Sequence, residues 1–344
     1  MRRPKLPLVD LAKEPVSISV VEDPGTGKVS FSDIPEKLIP RLIETFGAEA
    51  VDMVLEPSAI QGEFFQTLGV TTRRRPRHRD TFGGGVLEDR VRRLIGEGRS
   101  GLAPYFMTAI NRTDEAIFGR TGVIYFVCRK GCHFCQYRGF DEEKLDAAGI
   151  AARMLALEKA GADNVQWLSP TAFTATLVEA TWLADTEGFG LPIIHKSEGE
   201  DTVADLELLD GLVDVYLPDV KFVTPEFSRW IGLPATYPKR MEAAIREMYR
   251  QVGKLTRKPG RKSLEGGGLL VRHLLMPGGA EEATKVLAFV ASIDRGIPVR
   301  IMTSYEPLHD AQAIPEISRK ISKQEIDFVA QYAHEEELHH VLIG

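Results

Sequence analysis

From residue 122 onward, short apolar runs rich in Val, Ile and Leu alternate with helical patterns. GVIYFV (122–127), NVQWLS (164–169), LPIIHKS (191–197), VDVYLPDVKF (213–222), GGLLVRHLLMPG (267–278) and IPVRIMT (297–303) read as strands. They are near-continuous in apolar character, as strands covered on both faces must be. EEKLDAAGIAARMLALEKAG, TATLVEATWLADTEG, TVADLELLDGL, YPKRMEAAIREMYRQVG and AEEATKVLAFVASIDRG read as the intervening helices. Repeated βα units of this kind predict an α/β fold with a mostly parallel sheet. Six units do not close an eight-stranded barrel, so the count predicts an open or partial (βα)6 barrel.

A chain of 344 residues exceeds one ordinary domain, and residues 1–100 lack the βα texture. VSISVVEDPGTGKVSFS reads as a hairpin around Pro24-Gly25, and IPEKLIPRLIETFG as an amphipathic helix. The division expected is an N-terminal accessory extension (1–100), a core (101–310) and a C-terminal helical segment (311–344). The run from Arg73 to Arg79 holds five arginines in seven positions and reads as a solvated loop, and the glycines at 83–85 as a linker. The histidines of HEEELHH (334–340) lack the i, i+4 spacing of a helical metal site and read as a solvated terminus.

Charge and hydropathy narrow the function classes. The net charge is -6, so no global basic field draws nucleic acid, and none is expected as a partner. No apolar run is long enough to span a bilayer, and MRRPKLPLVDLAKEPVS has no apolar stretch of the kind that export requires. A cytoplasmic protein without a membrane partner is the expectation.

All three cysteines, Cys128, Cys132 and Cys135, lie within eight positions on the loop after the strand 122–127. Thiols in a reducing compartment, odd in number and clustered, point to a metal or to catalysis rather than to disulfides. The loop follows the C-terminal end of its strand, where β/α folds build their active sites. Three thiolates can hold three irons of a four-iron cluster and leave the fourth iron open to another ligand. A structural zinc completed by His133 and a set of inert buried thiols are the other readings. Arg129, Lys130, His133 and Arg138 flank the cysteines and predict an exposed loop that favours thiolates.

Cys-x3-Cys-x2-Cys with Phe134 before the last cysteine resembles the signature of the radical S-adenosylmethionine superfamily. GVIYFVCRKGCHFCQ, LLDGLVDVYLPDVKF, EMYRQVG, LLVRHLLMPG and IMTSYEPL, in that order, resemble the branch related to pyruvate formate-lyase activating enzyme. The resemblance spans about residues 100–335 and implies a partial (βα)6 barrel of the radical S-adenosylmethionine type with an N-terminal extension. It implies a [4Fe-4S] cluster on Cys128, Cys132 and Cys135, with S-adenosylmethionine as the second cofactor. Reductive cleavage of that cofactor to a 5′-deoxyadenosyl radical, followed by hydrogen abstraction, is the activity implied. A glycyl residue of a protein partner or a small molecule would be the substrate, and flavodoxin or ferredoxin the electron donor.

Residue by residue, Phe134 matches the aromatic beside the adenine, and Asp219 and Lys221 match an Asp-x-Lys near the cofactor. Asp219 and Lys221, two apart, share one face of their strand, while Arg272 and His273 fall on opposite faces, with Arg272 matched to the interior. His195 and Lys196 lie near a strand's C-terminal end, His195 reading equally well as a core histidine. One departure stands out. QWLSPTAFTA holds no Gly-Gly-Glu, which in the superfamily secures the amino group of S-adenosylmethionine; Ser169 stands near the acidic position, with Gln166 and Thr171 as other neutral acceptors. A non-catalytic iron-sulfur electron-transfer module and a zinc-stabilised binding protein are the alternative functions.

Overall fold

A computed structural model describes residues 19–22, 29–32, 86–112, 120–128, 130–255 and 267–344. β1 (Ser19–Glu22) and β2 (Val29–Ser32) pair antiparallel, with Ser19 opposite Ser32. The Pro24-Gly25 turn, the helix expected over 34–47, the Arg73–Arg79 run and the glycines at 83–85 lie outside the described residues. α1 (Val86–Gly96) buries Leu87, Val91 and Leu94, spaced on one helical stripe, in the main core. The packed body therefore includes chain on the N-terminal side of the boundary expected at 101.

Two strands that the apolar-run pattern does not predict come next. β3 (Ala103–Arg112) runs antiparallel to β4 (Arg120–Phe126), and β5 (Glu143–Leu145) pairs with the other edge of β3. The helix expected from Glu142 begins only at Ala147. Asp146 caps α2 (Ala147–Lys159) by accepting the Gly149 N–H at 2.8 Å, and the residues before it join the sheet.

The remaining order is β6 (Asn164–Leu168), α3 (Thr174–Thr186), β7 (Ile193–Lys196), α4 (Val203–Leu209) and β8 (Val215–Tyr216). Then come α5 (Ser228–Ile231), α6 (Tyr237–Val252), β9 (Gly268–Leu269), β10 (Val271–Leu274), α7 (Ala280–Ile293) and β11 (Val299–Met302). β4, β6, β7, β8 and β9 lie side by side, each parallel to the next. Past Leu270 the chain of β9 continues as β10, which leaves that sheet and pairs with β11. This is an α/β architecture of parallel strands and helices.

Helix packing fixes which face of each strand is which. On α6, Tyr237, Met241, Ala244, Ile245 and Met248 form a buried stripe, each large side chain contributing about 1.5–3 kcal/mol on burial. Val165, Trp167, Ile193, Tyr216, Val271 and Ile301 meet the helices in this core. The alternating residues Gln166, Ile194, Lys196, Val215, Arg272 and Arg300 point the other way, to the inner face. Leu168 packs there with Ala109, Val123 and Tyr125.

The C-terminal segment is not helical throughout. α8 (Lys323–Glu335) starts in a capping box between Ser322 and Glu325, but β12 (Val341–Ile343) extends the sheet parallel to β11. The residues expected as a solvated terminus thus lead into a strand. Among the described residues no helix is long and apolar enough to cross a membrane.

Candidate active site

The loop after β4 is held from outside by its backbone. Arg138 donates to the carbonyls of Gly131 (3.0 Å) and Cys132 (2.8 Å) and pairs with Asp310 at 2.7 Å. The His133 N–H bonds the Ile231 carbonyl at 3.0 Å, and its ring Nδ1 meets the Trp230 carbonyl at 3.1 Å. Gly232 caps α5 in the left-handed region (φ 85°), and a Cβ there would stand 2.8 Å from the His133 ring. Gly232→Ala is therefore expected to cost about 1–2 kcal/mol from backbone conformation alone, before any displacement of His133. A lowered midpoint in chemical denaturation checks this.

These contacts enclose part of a loop expected to be exposed, while Gly131, Gln136 and Tyr137 stay exposed. Cys132 is buried and Cys128 and Cys135 half-buried. Burial pushes the Cys128 thiol well up, and the carboxylate of Glu198, hydrogen-bonded to it, pushes it further. Burial likewise raises Cys132, against the opposing pull of Lys221. Of the flanking cations, Arg138 is committed to carbonyls and Asp310 and Lys130 to Glu200, while Arg129 lies outside the described residues.

The loop after β7, SEGED, carries three buried carboxylates. Glu198 accepts the Thr171 hydroxyl at 3.1 Å. Glu200 pairs with Lys130 and, at 2.7 Å, with Arg240 of α6, tying the cysteine loop to that helix. Asp201 meets His195 Nε2 at 3.0 Å, and although burial raises its carboxyl, His195 brings it below the usual range. Gly199 (φ 76°) lets the chain turn where a Cβ would stand 3.1 Å from the Asp219 carbonyl. The buried Tyr237 hydroxyl lies 2.9 Å from the Glu198 carbonyl, 3.1 Å from that of Asp219, and accepts the Lys221 N–H at 2.9 Å.

After β8, Asp219 and Lys221 point the same way, with Lys221 Nζ 3.0 Å from the Asp219 carboxylate. Arg272 Nε is 3.5 Å from the same group, and its guanidinium also reaches the Met302 sulfur. Burial raises the Asp219 carboxyl, but Lys221, Arg272 and Lys196 outweigh it and hold it well below the ordinary range. His273 turns to the other face, where Nδ1 meets the Val220 carbonyl at 2.8 Å. His195 is also on the helix side, its ring edge-on between Trp167 and Tyr216. Of the pair His195 and Lys196, only Lys196 joins the inner charges.

Phe134 packs edge-on against Tyr305, centroids 5.4 Å apart. Ser169 sits in the left-handed region (φ 59°), its N–H bonded to the Lys196 carbonyl at 3.0 Å. On the inner face of β6, the Gln166 side-chain oxygen is buried without a hydrogen-bond partner among the described residues.

Among the described residues no three of His, Cys, Asp and Glu gather as one metal ion requires. A four-iron cluster asks for something else, because each thiolate binds a different iron. The Cys135 N–H bonds the Cys132 carbonyl at 3.1 Å, which turns the loop between them. Three free thiols on one loop at the end of β4 are donors of the right chemistry for such a cluster, though not gathered about one point among the described residues.

No family model matches the chain. An uncharacterised protein of Methanocaldococcus jannaschii is 23% identical over an alignment of 238 positions that covers 64% of this chain and 64% of that protein. The chain thus spans less than two thirds of that relative's length. Streptococcus suis SuiB, solved with its precursor peptide SuiA, is 12% identical at a TM-score of 0.45, covering 63% of this chain and 46% of that one. A domain of pyruvate-formate lyase-activating enzyme from Bacteroides vulgatus is 12% identical at a TM-score of 0.39, covering 53% of this chain and 98% of that one.

Glu198, Glu200 and Tyr237 are the site neighbours that motif reading passes over. A signal for the first two exists: three acids within four residues directly after an apolar strand, at the end where βα loops converge. Tyr237 leaves none, since its hydroxyl acts on loops distant in sequence.

Proposed function

We propose that the chain is a radical S-adenosylmethionine enzyme in which Cys128, Cys132 and Cys135 hold a [4Fe-4S] cluster. The observation that carries this reading is that Lys130 of the cysteine loop pairs with Glu200 of the β7 loop, which the Tyr237 hydroxyl ties to Asp219 and Lys221, so the charged group and the cysteines meet at one end of the sheet. When bound, the cluster and S-adenosylmethionine supply a 5′-deoxyadenosyl radical for hydrogen abstraction.

The chain's own residues do the positioning. Asp219, kept ionised by three cations, presents a fixed carboxylate, and Lys221 and Arg272 present fixed positive charges. These receive the charged ends of a zwitterionic cofactor, and the low-dielectric surroundings strengthen each contact. Phe134, backed by Tyr305, offers an apolar wall to the adenine, and Ser169 lies at the neighbouring strand end. Leu168, Val123 and Tyr125 make the inner face apolar beside the charges and exclude water from a reactive radical. A one-electron donor of the flavodoxin or ferredoxin kind delivers the electron, and the hydrogen comes from a glycyl residue of a protein partner or from a small molecule.

Anaerobic purification followed by metal analysis tests the reading. Iron and sulfide at about four each per chain are expected. Reduction with dithionite in the presence of S-adenosylmethionine should then release 5′-deoxyadenosine, and deuterium transfer from trial substrates identifies the hydrogen source. Stoichiometric zinc in place of iron would sink it.

A further inference from the structure

Strand alternation gathers more positive than negative charge on the inner face. Among the described residues Lys196, Lys221, Arg272 and Arg300 point there, against the carboxylate of Asp219 and that of Glu198, which meets Thr171 in the adjoining loop. A cluster held by three thiolates is an anion and S-adenosylmethionine a cation, so the two cofactors offset each other and leave that excess standing. We propose that Arg300, beside Arg272 on the inner face, recognises a carboxylate or phosphate group of a small-molecule substrate, so that the source of the hydrogen is a small acid rather than a glycyl residue. The inference rests on the cofactor reading above and names a substrate class for it.

Three features carry it. First, strand register sets the charges in a row. Asp219 stands opposite Arg272, Arg272 opposite Arg300, and Arg300 opposite Leu342, each on the adjoining segment. Asp219 therefore flanks Arg272, whereas Arg300 lies on the far side of Arg272 from that acid, with the apolar Leu342 beyond it. Second, neighbouring strands run about 4.8 Å apart, so the two arginines leave the same face side by side. Both are only 5% exposed. Like charges so placed in a low-dielectric setting repel, and a shared anion turns that repulsion into two attractions. The Arg272 guanidinium reaches the Met302 sulfur, a weak acceptor that a carboxylate or phosphate oxygen outcompetes. The planar guanidinium fork matches such oxygens in pairs, so Arg300 selects an oxyanion over a neutral peptide backbone. Third, the Gln166 side-chain oxygen on this same face is buried without a hydrogen-bond partner among the described residues. The face is thus finished for meeting a polar molecule and not for apolar packing.

The test titrates inorganic phosphate, succinate and, as an uncharged control, succinamide into the full chain by calorimetry. Each titration is run before loading and again on the anaerobically loaded chain saturated with S-adenosylmethionine. Iron, sulfide and S-adenosylmethionine affinity are measured on the same samples. Saturable binding of phosphate, succinate or both is expected, and none of succinamide; phosphate alone marks a phosphorylated substrate, succinate alone a carboxylic acid. Arg300→Gln should bind the anion roughly tenfold or more weakly, as loss of a charge-assisted pair implies, with iron content and S-adenosylmethionine affinity unchanged. Arg300→Lys keeps the charge without the fork and should fall between. Should Arg300→Gln fail to fold, the lysine variant decides, and an affinity equal to that of the unsubstituted chain sinks the proposal. Absence of anion binding, equal binding of succinamide, or undiminished anion binding by Arg300→Gln overturns the assignment. So does a matching loss of S-adenosylmethionine affinity, which would put Arg300 in the cofactor's own site. Failure to take up a four-iron cluster is a different result: it overturns the cofactor reading and the substrate role with it, while the titrations before loading still report whether Arg300 receives an anion.

Discussion

Cys132→Ala is expected to abolish four-iron uptake and, with it, all cleavage of S-adenosylmethionine. Two remaining thiolates cannot secure three irons, so the variant should show at most a labile remnant of iron and no charge-transfer absorption. Cys132 is the buried member of the three, so its loss removes the most enclosed donor. His133→Ala provides the contrast. Its ring meets the Trp230 carbonyl and serves the loop's outer anchorage, so the variant should keep its iron and lose about 1 kcal/mol of stability. A Cys132→Ala protein with full iron content and turnover would refute the cluster assignment.

Asp219→Ala should produce the second large effect. Removing this carboxylate leaves Lys221 and Arg272 without the charge that both approach; the Asp219 side chain is 22% exposed, so the cost falls below the roughly 3–5 kcal/mol of a fully buried pair. The denaturation midpoint should fall accordingly, and affinity for S-adenosylmethionine should drop by a large factor while iron content holds. The acid dependence carries a definite sign. The native Asp219 carboxyl titrates below its unfolded value of about 3.9, so its stabilising contribution is complete above that pH. It is lost as pH falls through the depressed native value. The stability gap between the two proteins should therefore be widest at neutral pH and narrow in strong acid. A gap independent of pH down to acid unfolding would count against an ionised Asp219 in the network.

The parallel strands were legible because they are buried on both faces and so appear as continuous apolar runs. β3 and β5 escaped this criterion. β3 lies antiparallel to β4 beside a half-buried aromatic set, and β5 is three residues, Glu143 to Leu145, whose strand character comes entirely from pairing with β3. The same holds for β12: Val341–Ile343 follows a run of acids and histidines, and only its pairing with β11 makes it a strand. Local propensity cannot register a partner distant in sequence. At the site, fixed spacing made the cysteines and the Asp219–Lys221 pair readable. Glu198 was not, because its place depends on a positive φ at Gly199 and on a hydroxyl 39 residues further along the chain. The loop cations Lys130 and Arg138 were misread for a related reason. Their partners, Glu200 and Asp310, lie on other segments, so adjacency to the cysteines said nothing of where their charge would be spent.

The break at Leu270 has a bearing on how such a site can diversify. There the strand passes from one sheet to the other, and the corner is spanned by main-chain bonds from Arg272 to Pro218 and from Val220 to Arg272, on either side of Asp219. The residues that set the angle of the wall are thus the immediate neighbours of those that set its charge. A substitution at Pro218 or Leu270 that opens the angle also moves the Asp219 and Arg272 side chains apart. Width and polarity in this part of the molecule are inherited as one trait, so adapting it to a bulkier molecule requires retuning its electrostatics in the same step.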